Sequence, residues 1–105
     1  VTEDDLWNAI RPNLRGRWWR LETVVPDGLP DTFGLWQGHT WWCELKIGKP
    51  ATKKLRPKQI EFGYECLRQR IPFYVCFGYK GKPRFYRDFK FATEIKPPFY
   101  RTPDA

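Results

Sequence analysis

Residues 28–47, GLPDTFGLWQGHTWWCELKI, leave this chain few folds to choose from. Two runs rich in β-branched and aromatic residues, 32–37 and 40–47, flank Gly38 and His39, and glycine at the first central position suits a two-residue hairpin turn. With the turn at Gly38 and His39, Gln37 pairs with Thr40, Asp31 faces Lys46 and Phe33 faces Glu44. Opposed residues share a face of a sheet, and so do alternate residues of one strand. Asp31, Glu44 and Lys46 therefore project from one side, the two carboxylates on diagonal positions about 7–8 Å apart at Cα. The other side of the second arm, Trp41, Cys43, Leu45 and Ile47, is apolar throughout and reads as core.

Two carboxylates and an ammonium so placed suit phosphoryl chemistry. Mg²⁺ takes hard oxygen ligands and is commonly held by one or two carboxylates together with substrate phosphate. A metal so held acidifies a bound water and neutralises charge on a phosphoryl oxygen, and Lys46 is the group to meet the water or the phosphate. The bland reading is a cross-strand ion pair between Asp31 and Lys46, worth little on an exposed hairpin.

Pro30-Asp31, twelve intervening residues and then Glu44-Leu45-Lys46, followed by Gln59 on a helix, resemble the PD-(D/E)xK nuclease signature. The order of elements over residues 2–79 resembles archaeal and phage Holliday junction resolvases and the VRR-NUC group. The resemblance implies an α/β fold with a restriction-endonuclease-like core, a central mixed sheet flanked by helices in the order α-β-β-β-α-β. It implies a Mg²⁺-dependent structure-specific endonuclease, with Mn²⁺ as a substitute. Asp31, Glu44 and the Leu45 backbone carbonyl would bind the metal, Lys46 would orient or activate water, and Gln59 would support them. In resolvase-like nucleases a Glu one turn ahead of the first apolar helical position reaches the metal; Glu3 stands there, with Asp4, Asp5 and Glu22 as alternatives. Resolution of a four-way junction is the favoured activity. Flap or end processing, nicking, and a non-catalytic basic nucleic-acid-binding module are the rivals.

With 105 residues the chain has room for one domain, expected over 1–95, with a Pro-rich C-terminal arm over 96–105. Nineteen basic against twelve acidic residues leave a formal charge of +7, which favours a polyanionic partner such as branched or duplex DNA. Five of the basic residues, Lys49, Lys53, Lys54, Arg56 and Lys58, follow the hairpin within eleven positions. With Arg20 they are candidate phosphate contacts, which bring affinity and salt dependence but no sequence choice. Three cysteines without metal-type spacing argue against a disulfide framework or a zinc site. Cys43 and Cys76 read as core thiols. No apolar run reaches membrane-spanning length and no signal-peptide pattern is present, so a soluble intracellular protein is expected; the resemblance to resolvases implies a bacterial or phage-infected cell. Cutting both strands of a branch calls for a symmetric homodimer.

Thr2, followed by three acids, caps a first helix whose last turn Pro12 makes irregular or cuts short. Residues 17–25 alternate as a first strand. Pro57 opens a second helix to about residue 70, with Ile60, Gly63, Tyr64, Leu67 and Ile71 as the expected buried stripe. Residues 72–77 read as a strand buried on both faces, and 84–90 as an edge strand.

Overall fold

The computed structural model describes residues 1–21 and 27–102. Helix α1 (Glu3–Ile10) begins with a reciprocal cap: Asp5 N–H donates to Thr2 Oγ1 at 3.1 Å and Thr2 N–H to Asp5 Oδ2 at 2.9 Å. Pro12 cannot continue the α-helical ladder, and the chain tightens into a 3₁₀ turn over Arg11–Asn13. Strands β1 (Arg17–Arg20), β2 (Thr32–Trp36) and β3 (His39–Ile47) follow as an antiparallel meander. The strand expected over 17–25 is described only as far as its first half.

Helix α2 (Pro57–Arg68) carries the chain from β3 to β4 (Phe73–Tyr79), the parallel neighbour of β3. Strands β5 (Lys82–Tyr86) and β6 (Glu94–Ile95) add antiparallel, giving a six-stranded mixed sheet in sequential order. The segment expected as an edge strand is thus an inner one. It stops after Tyr86, where Asp88 accepts hydrogen bonds from the backbone of Lys90, Ala92 and Thr93 and turns the chain.

Both faces of the sheet's central strands are covered. On one, Leu6 and Ile10 of α1 pack against Trp41, Cys43, Leu45, Tyr74, Cys76 and Phe85. On the other, Leu55 and Cys66 pack against Phe73, Val75, Phe77, Tyr86 and Phe91. Strand β4 lies between two apolar layers, which accounts for its unbroken run of buried residues. All three cysteines are buried free thiols.

Three expectations need correction. The hairpin turn is Gln37-Gly38, not Gly38-His39: Trp36 pairs with His39, and Gln37 and Gly38 have φ of 54° and 73°, the left-handed pair of a type I′ turn. The register moves by two residues. A two-residue slip preserves faces, so Asp31 still shares a side with Glu44 and Lys46 but stands beside Glu44. The stripe of α2 is rotated by one position. Gln59, Gly63 and Cys66 are buried whereas Tyr64 and Leu67 are exposed. Gly63 has to be small, because a Cβ there would stand 2.7 Å from the Phe89 ring. Finally, the Pro-rich tail is no free arm through Thr102: Phe99 is fully buried among Trp18, Trp41, Tyr74 and Phe85. Backbone bonds from Arg15 to Phe99 and from Arg101 to Asn13 fasten the tail beside the turn after α1.

Candidate active site

Asp31 precedes β2 and Glu44 lies in the middle of β3, and the chain ties the two together through its backbone. Asp31 N–H donates to Glu44 Oε1 at 3.1 Å, and Leu45 N–H donates to Asp31 Oδ2 at 2.8 Å. Peptide groups alternate sides along a strand, so the Leu45 carbonyl faces the same side as its N–H, toward Asp31. Glu44 is only 6% exposed, and Gln59 of α2 donates from Nε2 to Glu44 Oε2. The Gln59 carbonyl accepts the Arg56 N–H at 2.8 Å, an unpaired donor of the first helical turn. The glutamine therefore joins the helix start to the strand carboxylate, which is why α2 turns a polar residue inward where periodicity places an apolar one.

Burial raises the Glu44 carboxyl to about 8, and the neighbouring Asp31 carboxylate adds to the shift, with Lys46 opposing it. Burial, and after it Asp31, also raises Glu3, which Arg20 and Lys46 partly offset. Glu3 enters from the N-terminus of α1 and lines the same cavity of about 370 Å³ as Asp31, Glu44, Lys46 and Gln59. Lys53 and Arg56 complete its rim.

A structure of the Hjc Holliday junction resolvase from Archaeoglobus fulgidus, an archaeal hyperthermophile, superimposes with a TM-score of 0.58 over 80% of this chain and 71% of that one, at 20% sequence identity. The chain shares the fold of that resolvase. No protein-family model matches the sequence, and no curated protein matches it.

Within the resolvase fold the three N-terminal acids part company. Glu3 faces the cavity. Asp4 pairs with Arg20, and Asp5 is spent on the cap, its carboxyl lowered by the Thr2 hydrogen bonds. Glu22 lies outside the described residues. Of the basic candidates, Lys53 and Arg56 stand at the cavity and Arg56 also reaches Asp27 at 3.6 Å. Lys49, Lys54 and Lys58 are exposed alongside. Gly28 lets the chain pass against α2, since a Cβ there would lie 2.6 Å from the Lys58 carbonyl.

Among the described residues there is no group of three or more His, Cys, Asp or Glu set to hold a metal. Asp31, Glu44 and Leu45 line the cavity, and the oxygens they offer, two carboxylates and a backbone carbonyl, are of the hard type that suits a divalent cation. No helix among the described residues is long and apolar enough to cross a membrane. Sequence reasoning missed Thr32, fully buried with its hydroxyl donating to the Cys43 carbonyl at 2.7 Å. Its place directly after Asp31 was the available signal.

Proposed function

We propose that this protein is a Mg²⁺-dependent endonuclease acting on branched DNA, with resolution of four-way junctions as its activity. The observation that carries the reading is the junction of Asp31, Glu44 and Leu45, backed by Gln59 and faced by Lys46, in one cavity with a basic rim.

Asp31, Glu44 and the Leu45 carbonyl would hold the ion, with Glu3 of the same cavity completing the set. The chemistry such an ion would supply is acidification of a bound water and screening of charge on the phosphoryl group. Gln59 keeps Glu44 in one rotamer. Lys46, which lines the same cavity, would hold the incoming water or a non-bridging oxygen, and Lys53 and Arg56 would draw the backbone toward the carboxylates. One site breaks one phosphodiester bond, so paired nicks across a junction call for two copies of the chain related by a two-fold axis.

The test is cleavage of labelled four-way junction, flap, duplex and single-stranded DNA with Mg²⁺, by the native protein, Glu44→Gln and Lys46→Ala. Symmetric nicks in the junction, lost in both variants while DNA binding persists, support the reading. Cutting confined to flaps replaces the substrate, and no cutting of any DNA overturns the reading.

A further inference from the structure

The face of the sheet that carries Glu44 continues outward as a row of rings. Trp42 precedes Glu44 by two residues and, like it, meets α2: its ring lies 5.1 Å from that of Phe62, as Glu44 meets Gln59. Phe33 pairs with Trp42 across β2 and β3, and Trp19 pairs with Phe33 across β1 and β2. The rings follow the pairing, Trp42 to Phe33 at 5.3 Å and Phe33 to Trp19 at 5.2 Å, the latter pair within 19° of parallel. Helix α2 covers the inner end of this row and leaves the outer end in water. Trp19 is 36% exposed, Leu35 beside it 49%, and the Arg17 guanidinium lies 5.2 Å from the Trp19 ring centre.

An indole about a third exposed, backed by a second ring and topped by a guanidinium, is poor surface to leave bare but a good platform for a flat, anionic-backed ligand. Nucleobases stack on aromatic and guanidinium planes whatever their sequence, and a displaced Arg17 has the adjoining phosphate to bind. Position selects the ligand further. Trp19 lies two strand spacings, about 10 Å, from β3 on the cavity's own face, a reach of a few nucleotides along a strand. A base inside a duplex shows only its edge and cannot occupy the platform.

We propose that Trp19, with Phe33 behind it and Arg17 above it, is a stacking subsite for an unpaired base a few nucleotides from the phosphate held at Asp31 and Glu44. This rests on the proposed nuclease reading and narrows its substrate to DNA with at least one unstacked base beside the cut, as at an opened junction centre or a flap.

The experiment is fluorescence-anisotropy binding without divalent metal, using a labelled oligothymidylate, a four-way junction with unpaired thymines at its centre, and a fully paired duplex. Trp19→Ala should weaken the first two by about ten-fold or more and leave the duplex within two-fold, while Trp19→Phe retains most of the affinity. Photocrosslinking of native protein to 5-iododeoxyuridine at the unpaired position, read by peptide mass spectrometry, should label Trp19, and this measurement does not depend on the variant folding. Equal loss for all three DNAs, or crosslinks that avoid Trp19, overturns the subsite. So does a change of Trp19→Ala from dimer to monomer in sedimentation with unpaired and paired DNA equally affected, which would make the platform an interface between copies. The two readings fail separately. Mg²⁺-dependent cutting with unchanged binding by Trp19→Ala removes the subsite alone, and selective loss of binding in a protein that never cuts removes the nuclease alone.

Discussion

The side-chain amide of Gln59 joins the first turn of α2 to Glu44 of β3, accepting from the Arg56 backbone with one end and donating to the carboxylate with the other. Gln59 is 3% exposed, so either end left without its partner is a buried polar group without water. Gln59→Ala should lower stability by about 1–3 kcal/mol, read from urea unfolding, and should reduce cleavage more than DNA binding because Glu44 loses its fixed rotamer. Equal losses in binding and cleavage would limit Gln59 to holding the helix.

The raised Glu44 carboxyl has a signed consequence. Its value of about 8 in the fold stands above the ordinary 4.5, so between those pH values the folded chain holds a proton that the unfolded chain has released. The metal-free protein should therefore lose stability as pH rises from about 4.5 to 8 and level off beyond. The Mg²⁺ proposed for this site would need the carboxylate, so its affinity should climb by up to ten-fold per pH unit over the same window and flatten above about 8. Thermal melts from pH 5 to 9, with and without Mg²⁺, check both slopes, and Glu44→Gln should remove them. Parallel melting curves for the native protein and Glu44→Gln would contradict the assignment.

Much of this was legible in the sequence because the strand carries its own contrast. Trp41, Cys43, Leu45 and Ile47 alternate with Glu44 and Lys46, and that alternation fixes faces whatever the turn. Turn type was less legible: Gly38 can serve as the first residue of one turn or the second of another, and only the left-handed φ of Gln37 decides between them. The inward side of α2 was misread by one position because a buried glutamine breaks the apolar period for the sake of Glu44. The tail was misread because proline runs look extended, and nothing local to Phe99 reveals the cavity between Trp18 and Phe85 that it fills. Such non-local partners are visible only in the fold.

The hairpin itself is open to test. Gly38 sits at φ 73° with open space around its Cα, so an added methyl meets no neighbour and only backbone strain remains. Gly38→Ala should cost about 1 kcal/mol, whereas Gln37→Asn, better suited to the left-handed region, should raise stability by a few tenths of a kcal/mol. Equilibrium unfolding of the two variants measures this. The opposite ranking would favour the Gly38-His39 turn over the observed one.

Phe99 gives the largest stability effect expected outside the site. Its ring lies 4.7 Å from that of Trp18 and 5.1 Å from that of Tyr74, with no exposure to solvent, and it belongs to the same buried cluster as Leu6 and Ile10 of α1. Removing a fully buried phenyl ring forfeits its transfer energy and leaves a cavity in a densely packed layer, a loss of about 3–5 kcal/mol. In a domain of this size that is a large part of the total stability. Phe99→Ala should melt far below the native protein, and Phe99→Leu, which keeps much of the volume, should recover more than half of the difference. Ending the chain after Lys96 should be as damaging as Phe99→Ala, since it also removes the backbone bonds from Arg15 to Phe99 and from Arg101 to Asn13. Thermal melts of the three proteins decide the point. A truncated chain that melts with the native one would return the tail to the role of a dispensable arm.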